Sequence, residues 1–191
     1  MKKSLLFVFI AIMAAGILVA GCGGKSPETV VKEFTTAMKA GDWEKAALCL
    51  ENEDTTILQK DVANEEEEKI AKQILAQATF EVGSATITGE QAIVNVKVTS
   101  IDMIRIVTGM MTELMSFALS SAFDGSGENQ DNIDAMADQY LKNSISDPNA
   151  PKTTTDTTVN LIKIDGAWKI SADNNEFLDA LMGNIGKAFP E

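Results

Sequence analysis

Side chains able to attack, ionise or hold a metal are sparse in this chain. Its 191 residues include no histidine and two cysteines, Cys22 and Cys49. Cys22 closes the tetrad Val19-Ala20-Gly21-Cys22 at the end of an apolar run that starts at Leu5, behind Lys2 and Lys3. That is the layout of an export leader with small residues before its cleavage point. Cys49 sits in Ala46-Ala47-Leu48-Cys49-Leu50. With no imidazole to take its proton it reads as a buried small hydrophobe, left without an intrachain partner. The block Glu65 to Glu68 has the charge of a cation site, but consecutive residues of a helix point in different directions. It reads instead as the solvated front of a helix, where acids favour the positive end of the dipole. No metal and no cofactor is expected: no glycine loop precedes a strand to cradle a phosphate, and no Ser or Cys has a recognisable base. Asp102 reads as a helix start and Asp165 as a turn residue.

The tetrad resembles the lipobox of bacterial lipoproteins. The resemblance implies that the Cys22 sulfur receives a diacylglycerol, that a peptidase cuts between Gly21 and Cys22, and that the freed amine usually takes a third chain. One acyl chain holds a protein only reversibly, at roughly 0.8 kcal/mol per buried methylene, so several chains mean retention. The partner implied is the lipid bilayer, reached through acylated Cys22, and the address is the extracytoplasmic face of the cell membrane. A permanent transmembrane helix is the alternative, and the run is about long enough for it; the small-residue tetrad favours cleavage. Residues 1–21 are then the signal peptide, 22–27 a short lipidated tether, and 28–191 a single domain. The sixteen basic residues lose Lys2 and Lys3 with the leader, leaving fourteen against twenty-eight acids, a net charge of about −14. Binding to a nucleic-acid backbone needs the opposite sign, so nucleic acid is excluded as a partner.

The elements that must position these groups follow from periodicity. Ser26-Pro27-Glu28 starts a helix whose apolar face is Val30, Val31, Phe34, Ala37 and Met38, and Gly41 stops it. Asp42 caps a second, shorter helix through Trp43, Ala46, Ala47 and Leu50. A third begins at Asn64. From Thr79 the period becomes two: Thr79 to Thr88, with an irregularity at Gly83-Ser84, turns at Gly89-Glu90 into the strict alternation of Ala92, Val94, Val96 and Val98. Ile101 to Phe123 is a strongly apolar helix, with a stripe of Ile104, Val107, Met111, Leu114, Met115, Ala118, Leu119 and Ala122, and with Ile106, Met110 and Phe117 on the other side. Asp102, Arg105 and Glu113 argue against its spanning a membrane. A partner helix follows through Ile133, Met136, Ala137, Tyr140 and Leu141, making 101–145 a helical hairpin. Thr153 to Ile164 and Ala167 to Ser171 form a second β-hairpin around Asp165-Gly166, and Asn174 or Asn175 caps a last helix through Leu178, Leu181, Met182, Ile185 and Phe189. Hairpins rather than βαβ units make the class α+β.

The turn Ala40-Gly41-Asp42-Trp43 and the late Asp165-Gly166-Ala167-Trp168-Lys169-Ile170, in this order and spacing, resemble the NTF2-like proteins. That resemblance implies a cone-shaped, curved antiparallel sheet packed against N-terminal helices, here with the helical hairpin inserted and a C-terminal helix added. It also implies an enclosed interior that Trp43, Phe80 and Trp168 could line, with Tyr140 beside it. The function expected is a non-catalytic binding or interaction module, with Met110 and Phe117 as outward-facing contact residues on a methionine-bearing helix. The alternatives are a carrier or sensor of a small apolar ligand in the cone, and an acid/base enzyme of the NTF2-like type.

Overall fold

The computed structural model describes residues 24–55, 64–124 and 130–188. The leader, Gly21, Cys22 and Phe189 lie outside them. Helix α1, Pro27–Ala40, opens with the Ser26 hydroxyl accepting from Thr29 N and ends at Gly41 in the left-handed region. The Asp42 carboxylate caps α2, Trp43–Ala47, by accepting from Lys45 N. Asn64 accepts from Glu66 N and Glu67 N at the head of α3, Glu65–Gln77. Each is a short polar side chain satisfying amides that a helix start leaves unpaired.

Strands β1, Thr79–Thr88, and β2, Gln91–Ile101, form an antiparallel hairpin whose register shifts between Val82 and Ala85, at Gly83-Ser84. β2 pairs with β3, Lys152–Ile164, from Gln91 opposite Ile162 to Ile101 opposite Lys152. β4, Ala167–Ile170, completes the order β1-β2-β3-β4. Asp165 and Gly166 both have positive φ, 50° and 85°, as a two-residue I′ hairpin turn requires. Between β2 and β3 the chain makes α4, Met103–Asp124, and α5, Gln130–Ser146. After β4 come α6, Asn175–Leu181, and a 3₁₀ turn, Ile185–Ala188.

Alternation along β2 puts Ala92, Val94, Val96 and Val98 on one face, all fully buried. α1 and α6 cover that face, with Phe34 and Phe177 meeting at a ring-centroid distance of 6.1 Å. Burial of each such side chain is worth about 1.5–3 kcal/mol. The other face is polar: Lys97 pairs with Glu81 at 3.6 Å, and the Thr99 and Thr154 hydroxyls share a hydrogen bond of 2.9 Å. A second core of Ile74, Ile101, Met103, Ile106, Ile145 and Ala150 roots the helical hairpin, and Met182 and Ile185 pack against it.

Each sheet edge is engaged at one point. Ile170 N donates to Cys49 O at 2.8 Å and Glu51 N donates to Ile170 O at 2.9 Å, a parallel bridge between Leu50 and the outer side of β4. On β1, Ala85 N donates to Glu28 Oε1 at 3.0 Å, just past the bulge. The backbone amide of Glu28 itself, the Ser26 hydroxyl and this Ala85 amide together hold the Glu28 carboxyl below the ordinary glutamate range. A carboxylate whose pKa is lower in the folded state contributes stability that is fully present above the unfolded-state value of about 4.3 and lost as pH falls through the folded-state value. Glu28→Gln is therefore expected to lower the urea midpoint at neutral pH, and the gap from the parent should close below about pH 4. A gap that stays constant from pH 7 to pH 3 would show that the charge plays no part.

The sheet overturns the NTF2-like expectation. It is an open four-stranded meander that is neither closed nor curled into a cone. The reason is local: an Ala-Gly-Asp-Trp helix corner and an Asp-Gly hairpin turn fix how neighbouring elements join, and neither sets the curvature of a sheet. Curvature needs bulges repeated along long strands, and the described strands carry one, on the edge strand β1. The descriptor NTF2-like is withdrawn with the cone; the arrangement is an antiparallel sheet packed with helices on one face.

Candidate functional site

The interior that a cone would enclose is filled. The cleft bounded by Phe34, Leu50, Ile170, Phe177 and Leu178 has a volume of about 20 Å³, room for a water molecule and far below the ~300–1,000 Å³ of a ligand pocket. Trp43 is buried, and its indole N–H donates to Glu68 Oε1 at 3.1 Å. Glu68 also pairs with Lys72 at 2.8 Å, and the lysine first, then the indole, hold its carboxyl below the usual range. One of the four glutamates is thus committed to tying α3 to α2, and among the described residues no cluster of His, Cys, Asp and Glu could hold a metal. Phe80 and Trp168 pack half-buried at the margin of the first core, and Lys163 lies over the Trp168 ring at 5.6 Å, a cation–π contact. Tyr140 is in the second core, so the structure does not bring it together with Trp43, Phe80 and Trp168. Cys49 is buried, and that burial pushes its thiol up, away from the thiolate a nucleophile needs. Asp102 accepts from Arg105 N at 3.0 Å as the start of α4.

Gly24 lies against the β3–β4 turn: a side chain there would stand 3.4 Å from Gly166 O. Lys25 Nζ pairs with Glu33 Oε2 of α1 at 2.6 Å on the surface.

The hairpin of α4 and α5 is the other prominent feature, and its faces lie opposite to the expectation. Met110 and Phe117 are half-buried, on the side of α4 that also carries the buried Ile106. Gly109 allows the Tyr140 hydroxyl to sit against the α4 backbone, where any Cβ would collide with it. The exposed apolar residues are Met111, Met115, Leu119 and Phe123. Over Met103–Phe123 the helix is long and apolar enough to cross a membrane by length and composition, and little of it is buried. Beside it, however, α5 carries the exposed Asp134 and Asp138 and the half-exposed Lys142, which pairs with Glu66 and Asp138. Inserting α4 would drag these charges into hydrocarbon. Sequence periodicity could not find the exposed stripe, because α4 is apolar on both sides.

Also unforeseen is the role of Asn174. It holds the N-cap position of α6, its carbonyl accepting from Leu178 N at 3.0 Å, but its side chain makes no bond to the helix. Its Oδ1 accepts from Asn160 N at 2.8 Å, and its Nδ2 donates to Ser171 O at 2.8 Å and Asn160 O at 3.1 Å, so it extends the sheet where β4 has ended.

No family profile matches the chain, and no curated protein matches it. Among solved structures it is similar to one from Bacillus subtilis subsp. subtilis str. 168 that is named as a lipoprotein, ycdA. The identity is 12% and the TM-score 0.45, over 84% of this chain and 48% of that one. The chain thus spans about half the length of that relative, and a likeness this loose does not fix a shared fold.

Proposed function

We propose that this chain is a lipoprotein, held on the extracytoplasmic face of the cell membrane by lipid on Cys22, whose folded body is a non-catalytic interaction module. The observation that carries the reading is the run ending in Val19-Ala20-Gly21-Cys22, with Gly24, two residues on, against the β3–β4 turn. A tether this short keeps the body close to the headgroups. The filled interior supports interaction through the surface over carriage of an apolar ligand inside.

Intact-mass measurement of protein made in a lipoprotein-processing bacterium tests this. The parent is expected to have lost residues 1–21, to have gained the mass of a diacylglyceryl group, and to partition into detergent. Cys22→Ser is expected to keep its leader and gain no lipid. A parent with a free thiol at Cys22, or with its leader retained, overturns the reading.

A further inference from the structure

The outward face of α4 combines three properties. First, Met111, Met115, Leu119 and Phe123, four residues apart, are 51%, 73%, 60% and 85% exposed, and at 3.6 residues per turn they form one ridge. Second, beside this ridge runs a row of small residues four apart, Thr108, Thr112, Ser116 and Ser120. Their hydroxyls donate to Ile104 O, Thr108 O, Thr112 O and Ser116 O at 2.7–3.0 Å. These groups are satisfied by the helix itself, so covering the face leaves no donor unpaired. Third, its charges are at the margins: Arg105 is at the base, where it pairs with Asp102, and Glu113 lies about 60° round the helix from Ser116, on the side away from the ridge.

We propose that this face is where two copies of the chain meet, α4 against α4. A large-residue ridge next to a small-residue groove, both four apart, is complementary to itself: a two-fold rotation lays the ridge of each copy into the groove of the other. The four ridge side chains expose roughly 500 Å² in each copy, so full coverage of both ridges would bury about 1,000 Å², the size at which an interface becomes specific. The anchoring bilayer is a poorer occupant. On the lipoprotein reading, from which this part of the argument draws, the tether is at the Gly166 end of the sheet. α4 leaves from Ile101, paired with Lys152 at the opposite end, about 36 Å away along β2. With both lipids in one leaflet, the two-fold axis stands perpendicular to the membrane, and confinement to a surface raises the effective concentration of the pair.

Nitroxide labels on the full chain in its membrane, at Met111→Cys, Met115→Cys or Leu119→Cys in a Cys49→Ala background, test the proposal. The expected result is short-range dipolar coupling between labels at these positions and a longer interlabel distance at the flank position Glu113→Cys. Labels that are uncoupled and open to oxygen dissolved in lipid would assign the face to the bilayer. Labels that are uncoupled and open to water would leave it without a partner; either outcome overturns the proposal. As a check independent of labelling, Met115→Asp with Leu119→Asp should weaken the dimer at least 100-fold in sedimentation, with unchanged circular dichroism showing that the body still folds. If intact mass shows Cys22 unmodified, the anchoring reading fails by itself, while sedimentation still decides the dimer.

Discussion

Replacing Gly183 with alanine is expected to cost about 3–5 kcal/mol of folding stability, enough to lower the melting temperature by roughly 10–15 °C for a body of this size. Gly183 has φ of 71°, and its carbonyl accepts from Met103 N at 3.2 Å. A Cβ there would collide with Ile101 O and stand 2.7 Å from Met103 Cγ. The obstacle is backbone at the junction of β2 and α4, which cannot step aside without disturbing the root of the helical hairpin. Gly89 is the control: its φ is 63°, with nothing within 4 Å of a built Cβ. Gly89→Ala should therefore show only the cost of the left-handed conformation, about 1 kcal/mol. Thermal and urea melts of the two variants separate conformational strain from collision. Equal losses would mean that the tight approach at Gly183 is not maintained in solution.

Phe177→Ala is expected to cost a similar amount, about 3–5 kcal/mol, as is Phe34→Ala. Both rings are about 1% exposed and lie at the centre of the layer between α1, α6 and the sheet. α6 is a seven-residue helix, too short to be stable alone, so the Phe177 anchor largely decides whether it docks. Once α6 loosens, Ser100 loses its buried hydrogen bond to Ala180 O, 2.8 Å long, and the Gly183 turn loses its position. The double variant should lose less than the sum of the single losses, by about 0.5–1.5 kcal/mol, because each ring is half of one aromatic pair. Urea unfolding of the four proteins measures this; strict additivity would mean that the contact itself contributes nothing.

Local features were legible in the residues because their physics is local. Ser26-Pro27, Gly41, Asp42 and Asn64 mark helix ends through side-chain caps and one left-handed glycine. Val94, Val96 and Val98 mark their buried face by alternation, and Gly83-Ser84 marks the bulge. What failed needed distant neighbours. Sheet curvature was inferred from two turns that do not encode it. The faces of α4 were exchanged because Met110 and Phe117 differ from Met111 and Leu119 only in whether α5 lies over them, and the pattern within α4 is apolar either way. Of Asn174 and Asn175, the two candidates for the cap, Asn174 holds the N-cap position, but Asn160 and Ser171 claim its side chain. The apolar spacing from Leu178 to Phe189 implies one continuous helix, yet Gly183 and Asn184 both have positive φ and the helix ends at Leu181, so Met182 and Ile185 reach the second core by a turn. The address rests on Cys22, which no packing argument touches.

The treatment of the sheet margins bears on crowding. An unpaired strand invites another strand to add to it, and proteins held at high density on a surface are the most exposed to that hazard. Here the Cys49-to-Glu51 segment already occupies the hydrogen-bonding groups of Ile170, while the bulge at Gly83-Ser84 and the Glu28 carboxylate interrupt the opposite margin. Neighbouring molecules are thereby denied a template for fibril-like growth, and assembly is steered toward side-chain contacts of limited size.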